Sequence, residues 1–384
     1  MQSIAQAWLV LKLTNSSLML GVVSFAAYMP IVVVALFAGV VVDHVDRRRL
    51  IIAAQTLLML TAFVLTGLTW SGVVQVHHVI VIATINGLVS SFEMPARQTF
   101  VVEMVGREDL ANAIAMNSMI FNGARMIGPA LAGMLIAIIG VGGCFFFNGL
   151  SFLAVIWGLL LMDVPTRPRT DMAGAMLRRV REGLRYVWQH QSTRWLLIIV
   201  AINSGFAVQY AVLTPIFARD ILHAGARGFG FLTAAQGLGA VIGAIIMNSR
   251  PATPKVLRNN LVFGLFCMSA SIAAFGMSRS MPLSIACQML IGVGMMNHMV
   301  TTNMLLQMFV SDELRGRVMS VYTLSFIGTA PIGSLAVGFV GEHLSPAIAV
   351  SGCAAIGFAC AILLTSKLKV IARSQEEIEQ AEPA

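Results

Sequence analysis

The sequence predicts an all-α membrane protein with eleven full spans and a partial first helix, arranged as two six-helix bundles. Three observations carry this reading. Of the 384 residues, 58% are hydrophobic and only 11% charged, with a mean hydropathy of +0.84, whereas soluble chains carry about 25% charged residues. Apolar runs of roughly 20 residues recur along the chain, the length a helix needs to cross a hydrocarbon core about 30 Å thick. A spanning β-barrel would show short alternating segments instead. Finally, the lysines and arginines collect in alternate loops.

The chain opens on "SIAQAWLVLKL", about 11 residues or ~17 Å of helix, too short to span. The turn that follows, "LTNSS", falls on the cation-poor side. Met1 would then leave its amino group near the bilayer midplane, at a cost of at least a few kcal/mol. No basic n-region or cleavage site marks a signal peptide. The expectation is therefore a natural chain that starts earlier, completes the first helix and brings the total to twelve. Full spans are expected near 19–42, 50–70, 73–92, 113–140, 143–162, 195–217, 229–247, 260–278, 282–305, 318–340 and 346–366.

Orientation follows from the cations. Arg47 to Arg49, Arg97 and Arg107, Arg167 to Arg194, Arg250, Lys255 and Arg258, Arg315 and Arg317, and Lys367 to Arg373 fall in alternate loops. The other side receives Lys12, Arg219, Arg227 and Arg279, so about 20 of the 25 cations share one face. The positive-inside rule makes that face cytoplasmic. The predicted location is the inner (plasma) membrane, with the C-terminus in the cytoplasm and the tail "SQEEIEQAEPA" disordered there.

A polar stretch over 164–194 divides a first bundle, 1–163, from a second, 195–366, with a tail over 367–384. In "DMAGAMLRRVREGLRYVWQH", Met176, Val180, Leu184 and Val187 recur at helical spacing while Arg178, Arg179, Arg181 and Arg185 take other faces. This is the pattern of an amphipathic helix lying in the membrane interface. The halves also repeat: Gly123, Gly128 and Gly133 match Gly328, Gly333 and Gly338 at a constant offset of 205. Six plus six spans, a basic central loop and a parallel repeat are the layout of transporters that rock two bundles about a central site.

Other classes lose ground. No lysine is followed by Ser or Thr as a Walker A loop requires, and no histidine is followed by Glu as an HExxH site requires. No symmetry-related filter loops suggest a channel. The five cysteines lie in apolar runs without CxxC spacing, so neither a metal site nor a disulfide frame is expected. Topology accounts for the net charge of +8 without nucleic acid. The chain is expected to be no enzyme and to need no cofactor.

The stretch "AGVVVDHVDRRRL" resembles a loop motif of the major facilitator superfamily: a glycine, three residues, an aspartate, then a basic run starting four residues on. Gly39, Asp43 and Arg47 occupy those positions, while Asp46 stands where the superfamily favours glycine. "FEMPARQTFVVEMV", "LANAIAMNS", "ARMIGPALAG" and "DELRGRVMS" are similar to the branch that contains enterobactin-type siderophore exporters and macrolide efflux proteins. The resemblance implies outward transport and a cytoplasmic charge gate, in which the loop aspartate and arginine join an acid at the end of the fourth helix. Glu93 stands there, just before Pro95, which is expected to end the helix. The gate candidates are Gly39, Asp43, Arg47 and Glu93. A solvated turn that only fixes topology is the plainer reading, preferred for Arg48 and Arg49. It suits Asp43 and Arg47 less, because an acid at a helix end has no topological use.

Arg125, about 12 residues into its span, must face the bundle interior or a wet cavity. It either meets an anionic substrate group or pairs with amides such as Asn122 and Asn148. His298, amid Asn297, Thr301 and Thr302, either carries the coupling proton or stays neutral and hydrogen-bonded between helices. Gln236, Asn203, Gln209 and Tyr210 are further polar candidates for a cavity wall. Gly128, Pro129 and Gly133, with Gly333 and Gly338, read first as helix-packing positions. Ala132 replaces the first of a glycine pair in that motif. The 24 methionines suit an adaptable apolar cavity.

Together these features point to a secondary active transporter that exports small amphipathic molecules of drug or siderophore type by alternating access. The proton is the expected coupling ion, in antiport, and the lipid bilayer the surrounding partner. An importer or facilitator of the same fold, and a membrane sensor that does not transport, are the alternatives.

Overall fold

The computed structural model describes residues 1–105, 109–162, 176–249, 253–310 and 312–381, which are helical with short turns and contain no strand. Polar residues set the first boundaries. α1 (Gln2–Thr14) ends at Asn15, whose left-handed backbone (φ 52) lets its N–H reach the Leu11 carbonyl. Ser16 then caps α2 (Ser17–His44), its Oγ accepting the Met19 N–H at 3.2 Å. α3 (Arg47–Trp70), α4 (Val76–Val105) and α5 (Leu110–Leu161) follow.

α5 counts 52 residues, about 78 Å of helix and too long for one crossing. It breaks at Gly140 (φ 77, ψ 176), a backbone region essentially restricted to glycine. The part beyond the break runs antiparallel to α3: Gly142 lies against Trp70, Gly149 against Phe63, and Arg48 bonds the Leu159 carbonyl. The break thus separates the spans expected over 113–140 and 143–162. Ten helices among the described residues are long and apolar enough to cross a membrane, α5 counting once.

The first compact unit comprises 1–176 and 215–234. In it α2 packs on α4, α3 on α4 and α5, and α1 on α5. Val42, Ile51, Ala96, Phe100 and Leu159 form a buried cluster at its arginine-rich end. α4 does not stop at Pro95 as expected but continues to Val105. A proline removes one helical bond, here the one to the Ser91 carbonyl, and membrane helices tolerate that loss when neighbours and hydroxyls compensate.

The second unit comprises 177–214 and 235–384. It holds α6 (Met176–Gln189), α7 (Gln191–Ile202), α9 (Gly225–Asn248), α10 (Pro254–Met277), α11 (Met281–Phe309), α12 (Asp312–Gly328), α13 (Ala330–His343) and α14 (Pro346–Ala381), α9 being shared with the first unit. Beyond α7 the chain leaves α-geometry. A π turn (Asn203–Ala207) and a 3-10 turn (Val208–Leu213) lead through α8 (Thr214–Ile216) to a second π turn (Phe217–Ile221). α14 carries the helix through most of the acidic tail expected to be disordered, in keeping with the helix propensity of Glu, Gln and Ala.

α6 forms where the arginine-spaced pattern predicts it. Glu182 pairs with Arg317 at 2.9 Å, Gly183 fits against the Arg317 carbonyl, and the Tyr186 hydroxyl donates to the Phe309 carbonyl at 3.3 Å. Burial pushes the Tyr186 phenol above its usual range. Leu184 and Trp188 remain exposed.

Lipid supplies no hydrophobic drive between spans, so close packing must come from small residues. A Cβ on Gly87 would overlap the Ala27 carbonyl, and one on Gly239 the Met289 carbonyl. Gly264 and Gly294 face each other, and a Cβ on either would come within 2.8 Å of the other's carbonyl oxygen. By contrast Gly67 and Gly158 have nothing within 4 Å of that position. Gly87→Ala and Gly239→Ala should lower the thermal midpoint of the purified protein by several degrees. Gly67→Ala and Gly158→Ala should match or exceed wild type, since alanine gains up to ~1 kcal/mol in a helix.

Candidate functional site

Two groups of polar side chains stand out, one in each unit. The first surrounds the α2–α3 turn. Asp46, the unexpected acid of that loop, caps α3: its Oδ1 accepts the Arg49 N–H at 3.0 Å. This is a better helix start than the glycine it replaces. Arg48 donates from Nε to the Leu159 carbonyl at 2.7 Å and from Nη2 to the Leu160 carbonyl at 2.8 Å. These are among the last carbonyls of α5, where a cation also answers the negative helix end. Arg48 therefore clamps the start of α3 to the end of α5, a role beyond topology.

Glu93 is 6% exposed. Its Oε1 accepts from Gln55 Nε2 on α3 at 3.2 Å and from Arg97 Nε at 2.7 Å, and it forms an ion pair with Arg97 one turn later on α4. Since α4 continues, Glu93 sits inside the helix and not at its end. Arg47 begins α3 and is half-buried. Gly39 and Asp43 belong to the last turns of α2, but their side chains lie outside the described residues, as do those of Asn122 and Arg125. Asn148, the other amide considered for Arg125, donates to Gln2 Oε1 at 2.9 Å.

The second group lies on the irregular stretch after α7. The buried Tyr210 hydroxyl donates to Gln288 Oε1 at 2.8 Å and accepts from Gln236 Nε2 at 3.2 Å, joining the 3-10 turn to α11 and α9. Gln209 Nε2 donates to the Ser204 carbonyl at 2.9 Å. Asn203 Oδ1 is buried with no hydrogen-bond partner among the described residues. Buried polar atoms nearly always have partners, and π turns and mid-helix 3-10 geometry recur at functional sites and hinges. Gln236 is thus bonded through Tyr210 to Gln288, while Gln209 and Asn203 lie on the same irregular stretch as Tyr210.

His298 on α11 is buried, and its Nδ1 lies 3.5 Å from the Thr302 hydroxyl, which itself donates to the His298 carbonyl at 2.8 Å. No carboxylate pairs with it among the described residues. The motif glycines divide. A Cβ on Gly133 would come within 2.8 Å of the Ala226 carbonyl and of Gly230 Cα, and one on Gly333 would overlap the Gly205 carbonyl. A Cβ on Gly128 would meet nothing within 4 Å, one on Gly230 would come within 2.8 Å of the Pro129 carbonyl, and Gly338 is buried in α13. Sequence reading passed over Gln55 and Gln288; each is an amide inside an apolar run, and that isolation was the available signal.

The sequence profile of a family described as transmembrane secretion effector matches residues 1–383. Over 334 residues the chain is 26% identical to the staphyloferrin A transporter of Staphylococcus aureus, covering 85% of this chain and 82% of that one. It is 25% identical over 350 residues to the multidrug efflux pump Tap of Mycolicibacterium fortuitum, covering 87% and 83%. It is also 25% identical over 332 residues to the enterobactin exporter EntS of Shigella boydii, covering 85% and 76%. The crystal structure of the nucleoside transporter NupG shares the fold, with a TM-score of 0.71 at 11% identity over 96% of this chain and 97% of that one.

Tyr210→Phe leaves one buried amide oxygen without its donor and one amide N–H without its acceptor, which should cost about 1–3 kcal/mol. Combining it with Gln288→Leu should cost less than the two single changes added together, measured by thermal unfolding in detergent. Arg48→Lys should be nearly as destabilising as Arg48→Ala, because a lysine cannot reproduce a two-pronged donor.

Proposed function

Because the chain belongs to the transmembrane secretion effector family, within the major facilitator superfamily of membrane transporters, we propose that it exports small amphipathic molecules by alternating access in exchange for protons. The two moving bodies in this reading are the bundles 1–163 and 195–366, joined by 164–194. The arginine-rich face, the α2–α3 turn and the C-terminus all lie in the cytoplasm, and the membrane is the inner (plasma) membrane.

The observation that carries the coupling is the buried carboxylate of Glu93, held by Gln55, two turns into α3, and by Arg97 on α4. A carboxylate paired with a cation favours one closed arrangement, and its protonation weakens the pair. Proton entry then shifts the same two-state equilibrium that the substrate shifts in the opposite sense. The membrane potential contributes about 2.3 kcal/mol per charge per 100 mV. Asp43 and Arg47, three and one positions from the Asp46 cap, complete the gate in this reading, with Gly39 as its fourth member.

Substrate contacts are assigned to the Tyr210, Gln288, Gln236 and Asn203 group, with Arg125 meeting an anionic group. Sparse amides in apolar walls bind by shape and a few hydrogen bonds. That suits cargoes of the drug or siderophore type named for the relatives. His298, hydrogen-bonded to Thr302 and without an acid partner among the described residues, is assigned a neutral structural role.

Purified protein in vesicles should show substrate flux that an uncoupler abolishes. Flux indifferent to the pH gradient would make it a facilitator, and no flux with drug or siderophore probes would favour a sensor. Glu93→Gln should insert normally and lose at least about tenfold in gradient-driven flux; wild-type flux would defeat the gate assignment. The pH–rate profile of His298→Gln should match wild type.

A further inference from the structure

Lys12 and Arg219, two of the four cations on the cation-poor side, line one cavity of about 330 Å³ in the first unit. Its walls come from the last turns of α1 (Trp8, Leu11 and Lys12), from α5 at Ile136 and the Gly140 break, and from Arg219 in the second π turn. Cations on this side have no topological purpose.

Their surroundings differ. Arg219 is fully engaged: Nε and Nη2 donate to the Asp220 carboxylate at 2.6 and 2.9 Å, Nη1 to the Leu11 carbonyl at 3.1 Å, and Nη2 also to the Asn15 side chain. It is a fixed wall whose charge Asp220 answers. Lys12 is exposed and makes no ion pair among the described residues, so it is the unanswered charge at the cavity. Trp8 is held by stacking on Phe229, centroids 6.3 Å apart, and offers an apolar face. At Gly140 a Cβ would meet nothing within 4 Å; glycine is needed there for the backbone turn that shapes the rim.

We propose that this cavity binds the anionic headgroup and first carbons of an amphipathic molecule, the phosphate or carboxylate on Lys12 and the chain along Trp8 and the edge of Ile136. The volume lies at the small end of ligand sites, which fits a headgroup with a short stretch of chain. A membrane lipid and a transported solute share this chemistry.

The test uses the full chain in maltoside micelles with Trp70, Trp157, Trp188 and Trp195 changed to Phe, leaving Trp8 as the fluorescent reporter. The probes are chain-brominated phosphatidylglycerol, the matching phosphatidylcholine, and bromododecanoate. Both anionic probes should quench Trp8 saturably and more tightly than phosphatidylcholine. Lys12→Gln should weaken them about fivefold, the scale of one exposed ion pair, and Lys12→Arg should restore binding. Tighter phosphatidylglycerol identifies a lipid site, and tighter bromododecanoate a solute site. Equal binding of phosphatidylglycerol and phosphatidylcholine, or no change in Lys12→Gln, overturns the proposal. Should the four-Phe protein not fold, calorimetric titration of the otherwise native chain replaces it: Ile136→Trp, which fills the cavity, must abolish the heat of phosphatidylglycerol or bromododecanoate binding, and unchanged heat overturns the proposal. Equilibrium binding needs no transport, so failure here leaves the export reading standing, and the reverse.

Discussion

Hydrocarbon offers no hydrogen bonds, and that single constraint organises this chain. Each backbone N–H and C=O within the bilayer must find a partner inside the protein, which makes every span a helix and confines irregular backbone to protected places. It also removes the usual drive for helices to associate. Cohesion then depends on how closely backbones approach, and the glycines at Gly87, Gly133, Gly239, Gly264, Gly294 and Gly333 mark where a side chain would prevent it. The same constraint explains why α5 breaks at a glycine, where the chain must turn with no side chain in the way.

Polar groups inside such a structure are conspicuous because each must be answered. Glu93 is answered twice, by Gln55 and by Arg97. Tyr210 both donates and accepts, tying the 3-10 turn, where α-helical regularity has been given up, to the regular helices α9 and α11. Asn203 Oδ1, unanswered among the described residues, sits at the start of that irregular run. Irregular backbone and polarity coincide there. Charged and polar side chains at the helix ends play a different part. Arg48, Asp46 and Ser16 satisfy terminal backbone groups and fix where helices begin and stop, so the turn that resembles a gate also has a plain structural duty.

The spans were legible because apolar length is a one-dimensional property, and residues 17–44, 47–70 and 281–309 fall close to where the sequence puts them. The amphipathic helix over Met176–Gln189 was legible from its arginine spacing. Pro95 misled, because a proline's cost depends on its neighbours and not on its own position. The acidic tail misled as well: its low hydropathy argued against a fold, yet its glutamates and alanines are good helix formers. Among the packing glycines, Gly133 and Gly333 sit at crossings while Gly128 faces open space, although the motif treats all three alike.

The sequence by itself determined the solvent of this protein, the rough placement of its apolar helices and the asymmetry of its cations, since hydropathy and charge add residue by residue along the chain. Only the tertiary structure decided which polar groups meet. Gln55 reaches Glu93 from 38 positions away, Tyr210 meets Gln288 across 78, and Arg48 finds α5 across 111. Such pairings depend on the rotation of each helix about its axis, and that rotation is fixed by close packing, where one methylene too many excludes a neighbour.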